Sequence, residues 1–277
     1  MDTRQKYRAF ITGTRIPVMP GSFVLWILLF ITATGKTQTV ENSFSDSVST
    51  HTIKKQKWAG KVMIGSGYAI GTYFCYRYID SKVQDESQEL KSAPFNTFFA
   101  GMSDFGLGRT QAIAFVSTSL VAFLSRNQKL KQTVITWGGA LVINSIITEQ
   151  VKMTFQRHRP NTGDPYNVFD WRHGPGVNKS FASAHTSNAF TTATIFATLY
   201  KNHVWVPYVA YGLASLVGVS RIYRNEHWAS DVMAGAAIGF LSAKTMNGIY
   251  KAASKRFLFL PHPGLKGGSV SMVYAFK

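Results

Sequence analysis

A single cysteine, Cys75, among 277 residues excludes an internal disulfide and a cysteine-rich metal site, and it leaves the redox compartment unspecified. Acidic residues are scarce too: 13 Asp and Glu stand against 30 Lys and Arg, a formal net charge of +17. So few carboxylates speak against a carboxylate cage for a divalent cation. The positive excess predicts an anionic partner, whether nucleic acid, an acidic membrane surface or a phosphorylated substrate. No basic region leads into heptads and no Cys/His finger spacing occurs, so nucleic acid is set aside. Nor does the chain have the polarity of a disordered segment. Its hydrophobic content of 45% is enough for one large domain or two small ones.

The amino terminus places Arg4, Lys6, Arg8 and Arg15 ahead of an apolar run, Phe23 to Thr34, followed by Gly35. A basic segment before a short apolar stretch and small residues reads as a secretory signal or amino-terminal anchor over residues 1–35. A buried core helix is the alternative. A polar Ser/Thr stretch over 36–57 then reads as a linker. Beyond it lie six stretches free of Asp, Glu, Lys and Arg: 62–76, 110–125, 132–148, 180–200, 202–220 and 232–243. Their length and Ala, Leu, Ile and Met content favour helices over strands. The expected fold is therefore all-α, a bundle of about six helices over 58–255, with an extended tail over 256–277 in which Val270, Met272, Tyr274 and Phe276 alternate.

Whether these helices cross a bilayer stays open. A spanning helix needs about 20 largely apolar residues, several runs fall short, and the mean hydropathy of −0.01 is low for a polytopic membrane protein. We expect an exported bundle at or partly within a membrane of the cell envelope, facing the periplasm. Between the third and fourth core runs lies a long polar loop, FQRHRPNTGDPYNVFDWRHGPGVNKS, rich in Pro and Gly. A loop of this length in a compact domain is usually functional.

Three stretches carry the chemistry. In KMTFQRHRP, Lys152 and Arg159 are seven residues apart, about two helical turns, so both cations can address one spot. In SFASAHTSNAF, Ser183, Ala184 and His185 open an apolar helix, whose free N–H groups and dipole favour an anion; the plainer reading is a serine N-cap. In SRIYRNEHWASDV, His227 and Asp231 are one helical turn apart, so the carboxylate can hold one ring nitrogen and leave the other as an oriented base or nucleophile. An idle surface pair has the same spacing. Together these residues describe a tetrahedral oxyanion held by Lys152, Arg159 and Arg221, with donors from the Ser183 turn and a histidine on each side. Arg157, His158, Arg172 and His173 read as solvated or rim residues, Glu226 as solvent-facing, and Trp228 as packing.

K-x6-R-P at Lys152, Arg159 and Pro160, S-x-H at Ser183 and His185, and S-R-x5-H-x3-D at Ser220, Arg221, His227 and Asp231 resemble the three-part signature of the type 2 phosphatidic acid phosphatase superfamily. That superfamily includes lipid phosphatases, class A acid phosphatases and vanadium haloperoxidases. The resemblance covers roughly 58–250 and implies a metal- and cofactor-independent phosphatase. On matching positions it makes His227 the nucleophile that forms a phosphohistidine, Asp231 its orienting carboxylate and His185 the acid that protonates the leaving oxygen. Lys152, Arg159, Arg221, Ser183 and Ala184 would bind the phosphate. The implied substrate is a phosphorylated lipid such as a phosphatidate, a polyprenyl diphosphate or a lipid A phosphate. A broad-range periplasmic acid phosphatase and a non-catalytic phospholipid-binding protein are the alternatives. The second motif departs from the usual P-S-G-H: here it reads Ala182, Ser183, Ala184, His185. The added methyl group narrows the approach and is strained if the turn needs positive φ.

Overall fold

A computed structural model describes residues 63–125, 127–173, 176–262 and 269–274, with the side chains of 173 and of 255–274 excepted. The segments 1–35 and 36–57, read above as signal or anchor and as linker, lie outside the described residues. Residues 67–277 form one compact unit. Within it a π turn, Cys75–Ile79, leads into helix α1 (Asp80–Glu89). There follow α2 (Ala93–Gly106), α3 (Gly108–Leu124), α4 (Gln128–Phe155), α5 (Ala184–Leu199), α6 (Trp205–Tyr223) and α7 (Ala229–Arg256). Strand β1 (Phe257–His262) then pairs antiparallel with β2 (Ser269–Tyr274), Phe257 opposite Tyr274 and His262 opposite Ser269.

The bundle is all-α, as expected from the apolar runs, but α1 and α2 were not among them. Both carry charged or polar residues inside the helix, so a search for charge-free stretches passes over them. For α2 a local signal exists: Ser92 is the extended N-cap residue and Pro94 falls in the first turn, where a missing N–H costs nothing.

Helix α4 is 28 residues long, about 42 Å at 1.5 Å per residue. The Asn127 side chain caps its start by accepting from the N–H groups of Lys129 and Leu130. At its end Gln156 adopts φ of 44° and donates its N–H to Lys152 O, so the chain leaves the helix just after the first motif.

Helix α5 is the axis, packed against α2, α4, α6 and α7. All but one of its buried positions, Ile195, are small: Ala189, Ala193 and Ala197 alternate with Thr186, Ser187, Thr191 and Thr194. Glycines on α7 meet this surface closely. A Cβ at Gly239 would lie 2.3 Å from Ser187 O and one at Gly235 2.5 Å from Ser183 O, so the two backbones approach as only small residues permit. Trp137, Ala140, Ile195 and Ala243 form one apolar cluster, with Phe115 and Phe196 packed on it.

Large apolar side chains lie outside instead. Ile113, Val116, Leu120 and Phe123 on α3, Ile135, Val142 and Ile146 on α4, and Tyr208 and Val209 on α6 are all exposed. Among the described residues α4 is long and apolar enough to cross a membrane, and α2 with α3 would make a second such segment, bent by 56°.

Candidate active site

The first and third motifs meet through the loop after α4. The loop doubles back on itself: His158 N–H donates to Val168 O, Asp170 N–H to Gln156 O, and Ser180 N–H to Arg157 O. That path sets Lys152 at the end of α4, Arg159 on the loop and Ser183 at the head of α5 around one end of the bundle. The chain from α6 into α7 closes it, since Glu226 and His227 both donate their N–H groups to Arg221 O.

His227 is 2% exposed. Its Nδ1 lies 3.5 Å from Asp231 Oδ2 and has no hydrogen-bond partner, so the carboxylate addresses that nitrogen at ion-pair range and the ring's other nitrogen is left for chemistry. The imidazole is neutral near pH 7: burial pushes it down to about 4, opposed by Asp231 and reinforced by Lys152 and Arg221. Burial pushes His185 down to about 3, and the charges of Arg221, His227, Lys152 and Arg159 push it the same way. The three cations and two imidazoles are therefore near enough for their charges to act on one another.

Each cation is held differently. Lys152 is 7% exposed and donates from Nζ to Lys179 O at 2.5 Å. Arg221 is 3% exposed; it donates to the Ser103 hydroxyl and to Glu226, and its Nε is buried without a partner, a donor still open to an anion. Arg159 stands at the rim, its side chain 38% exposed. Ser183 is the N-cap of α5, its Oγ accepting from the N–H and hydroxyl of Thr186, which is the plainer of the two readings. Ala184, the first helical residue, is not among the residues with positive φ, namely Gln156, Trp171 and Asn225, so the methyl group in place of the usual glycine brings no backbone strain.

Two rim readings fail. Arg157 is fully buried: Nη1 donates to Asp231 Oδ1 at 2.6 Å and Ser230 Oγ at 2.7 Å, and Nη2 to Asp80 Oδ2 at 2.7 Å and Tyr166 O at 2.6 Å. Trp228, Phe169 and Tyr76 ring its guanidinium at 5.2–5.5 Å. Glu226 does not simply face solvent either; it bridges Arg221 and Arg224 and lies 4.0 Å from Arg159. Among the other loop residues, Arg172 is exposed, and the side chain of His173 lies outside the described residues. His158 is clamped between Asp164 at 2.7 Å and Asp170 at 3.1 Å. Trp228 is packed, 6% exposed, with Nε1–H donating to His158 O.

With that geometry in place, the PAP2 superfamily model matches residues 133–255. This segment is therefore similar to the PAP2 superfamily. It contains all nine residues of the three motifs discussed above, whereas Asp80 and Ser103, which hold Arg157 and Arg221, lie upstream of it. The chain is 36% identical over 114 residues to a lipid A 1-phosphatase of Porphyromonas gingivalis, covering 38% of this chain and 23% of that protein. It is 26% identical over 130 residues to a lipid A 4'-phosphatase of the same organism, covering 43% of this chain and 53% of that one. The chain thus spans between about a quarter and half of the length of these relatives. The crystal structure of a transmembrane PAP2 type phosphatidylglycerolphosphate phosphatase from Bacillus subtilis superposes with a TM-score of 0.52 at 20% identity, covering 69% of this chain and 96% of that one. The likeness in fold therefore extends beyond the matched segment.

Local sequence signals for Asp80 and Ser103 are absent. Arg157 had one: an arginine two residues before the Arg159-Pro160 pair, in a loop already expected to be functional.

Proposed function

We propose that this protein is a metal-independent lipid phosphatase of the cell envelope, hydrolysing a phosphomonoester or diphosphate of a membrane lipid through a phosphohistidine. The observation that carries the reading is the convergence of Lys152, Arg159 and Arg221 on two imidazoles, one of them backed by Asp231. His227 attacks phosphorus through the nitrogen that faces away from Asp231, and the bond to the lipid oxygen breaks as His185, which takes up a proton once the bound phosphate dianion offsets the three cations, passes that proton to it. Water then attacks the phosphohistidine, His185 takes its proton, and inorganic phosphate leaves. The three cations and the N–H groups at the head of α5 hold the equatorial oxygens as charge shifts between them.

A lipid fits better than a small soluble ester. Large apolar side chains face outward on α3, α4 and α6 while Ala, Ser and Thr make up most of the buried positions, the distribution of a bundle set in lipid. A largely apolar groove of 360 Å³, lined by Leu90, Phe95, Phe99, Val219, Ile222 and Tyr223 between α1, α2 and α6, has the character an acyl chain needs. The relatives' substrate, lipid A, is the first to test. The basic amino terminus and its apolar run support export, with the site facing the periplasm.

Phosphate release by purified protein in detergent, measured on lipid A, phosphatidate, phosphatidylglycerol phosphate, undecaprenyl diphosphate and para-nitrophenyl phosphate, tests the reading. His227→Ala is expected to abolish release. Uniform turnover of every substrate supports a broad-range acid phosphatase instead, and binding without turnover in the parent protein supports a capture protein.

A further inference from the structure

Arg157 is the largest fully buried side chain among the described residues, and the phosphatase chemistry above does not use it. An unpaired guanidinium in that position would be costly, and pairing with a single carboxylate would neutralise it. Instead it stands between two. Asp231 Oδ1 accepts from one of its nitrogens and Asp80 Oδ2 from the other, with every side chain in the row 0% exposed. Its remaining donors go to Tyr166 O and Ser230 Oγ, so the fork is fully used and its plane is fixed.

The other ends of this row are equally tied. Asp231 Oδ2 accepts the Ser180 hydroxyl at 2.5 Å and the Trp228 N–H at 2.9 Å, which leaves His227 Nδ1 as the group still facing it. Asp80 accepts the Ser230 N–H at 2.8 Å and the Ser230 hydroxyl at 2.6 Å, holding the first turn of α7. Two carboxylates and one guanidinium leave one net negative charge. With Arg157 alone, Asp231 would be cancelled and could do little for a cation on His227. Asp80 draws the guanidinium from the far side and restores the charge that His227 faces.

We infer that Asp80 and Arg157 are positioning residues that act through Asp231, fixing its carboxylate beside His227 and keeping the buried row one charge negative while the imidazole becomes cationic. The inference rests on the proposed phosphohistidine chemistry. Its signature is a charge count. Asp80→Asn leaves the row neutral, Arg157→Gln leaves two carboxylates facing each other, and the double variant returns it to one negative charge. The groups facing His227 are otherwise unchanged: Lys152, Arg221 and His185.

The test is kcat and KM on para-nitrophenyl phosphate from pH 3.5 to 8 for the parent, Asp80→Asn, Arg157→Gln, the double variant and His227→Ala, each with its thermal midpoint. Arg157→Gln is expected to lose about 100-fold in kcat, Asp80→Asn about tenfold with its acid limb moved to lower pH and KM little changed, and the double variant to recover about tenfold over Arg157→Gln. A merely structural role predicts additive losses and an unmoved acid limb. The inference is overturned if the double variant is no better than Arg157→Gln, or if Asp80→Asn keeps the parent's kcat and acid limb; should Arg157→Gln fail to fold, Asp80→Asn decides alone. A fully active His227→Ala sinks the phosphatase reading itself and this inference with it, whereas a dead His227→Ala beside a parent-like Asp80→Asn sinks the inference only.

Discussion

The backbone N–H of Ser183 donates to the carbonyl oxygen of Asp231 at 3.0 Å. This bond joins the head of α5 to the head of α7, so the helix start that presents His185 and the turn that presents His227 move as one piece. Neither histidine needs a bridge of its own side chain to stay in register with the other.

The same junction predicts the effect of a methyl group. A Cβ at Gly235 would meet Ser183 O at 2.5 Å and Thr186 Cβ at 3.3 Å, and backbone cannot yield as a side chain can. Gly235→Ala is expected to cost about 1–3 kcal/mol of stability and to lower kcat, because the helix bearing His185 and the turn bearing His227 are pushed apart. Thermal unfolding and phosphate release, measured on one preparation, check both.

Acid sets a limit on activity through His227. Its neutral form is the nucleophile, and burial holds its protonation down to about 4. Because the value lies below the ordinary histidine range, kcat/KM should not show a fall near pH 6.5 from this residue and should decline as pH drops through about 4. A parent acid limb near 6.5 contradicts a buried, neutral His227.

Glu226 shares its carboxylate with Arg221 and Arg224 and lies near Arg159, so an incoming phosphate has to compete with it for the same cations. Glu226→Gln is expected to bind inorganic phosphate about tenfold more tightly, the effect of removing one partly screened charge at the rim. Product-inhibition constants for phosphate measure this directly, and an unchanged constant removes Glu226 from the pocket's charge balance.

The loop that carries Arg157 and Arg159 is clamped by His158 between Asp164 and Asp170. Partial burial opposes protonation of His158, but the two carboxylates outweigh it and its proton is held more tightly than in the unfolded chain. Hydrogen bonds from Asn178 and His158 lower Asp170, and the bond from His158 lowers Asp164. The raised histidine contributes stability that is complete below about pH 6.5 and lost as pH rises through its folded value. The lowered carboxylates contribute above about pH 4 and lose it in acid. Hydrogen exchange over 157–170 should therefore be slowest between these limits and speed up at higher pH beyond the intrinsic rate increase. His158→Ala should abolish that dependence.

Much of the site could be read from order and spacing alone. The turn-spaced pair His227 and Asp231, the two cations Lys152 and Arg159 on either side of a helix end, and the Ser183 helix start are local patterns, and local patterns survive in a one-dimensional string. Charge-free apolar runs likewise announced α3 to α7. Tertiary structure alone decided the rest. Arg157 looked like a loop cation because its partners, Asp231 and Asp80, are 74 and 77 residues away. Glu226 sits beside His227 in sequence yet turns to Arg221, and Ser103 reaches the same arginine across 118 residues. A charge's worth depends on its burial and on what faces it, and both are set by where distant segments fold; spacing along the chain fixes which groups can share a face, and packing fixes which of them lose water and must find a partner.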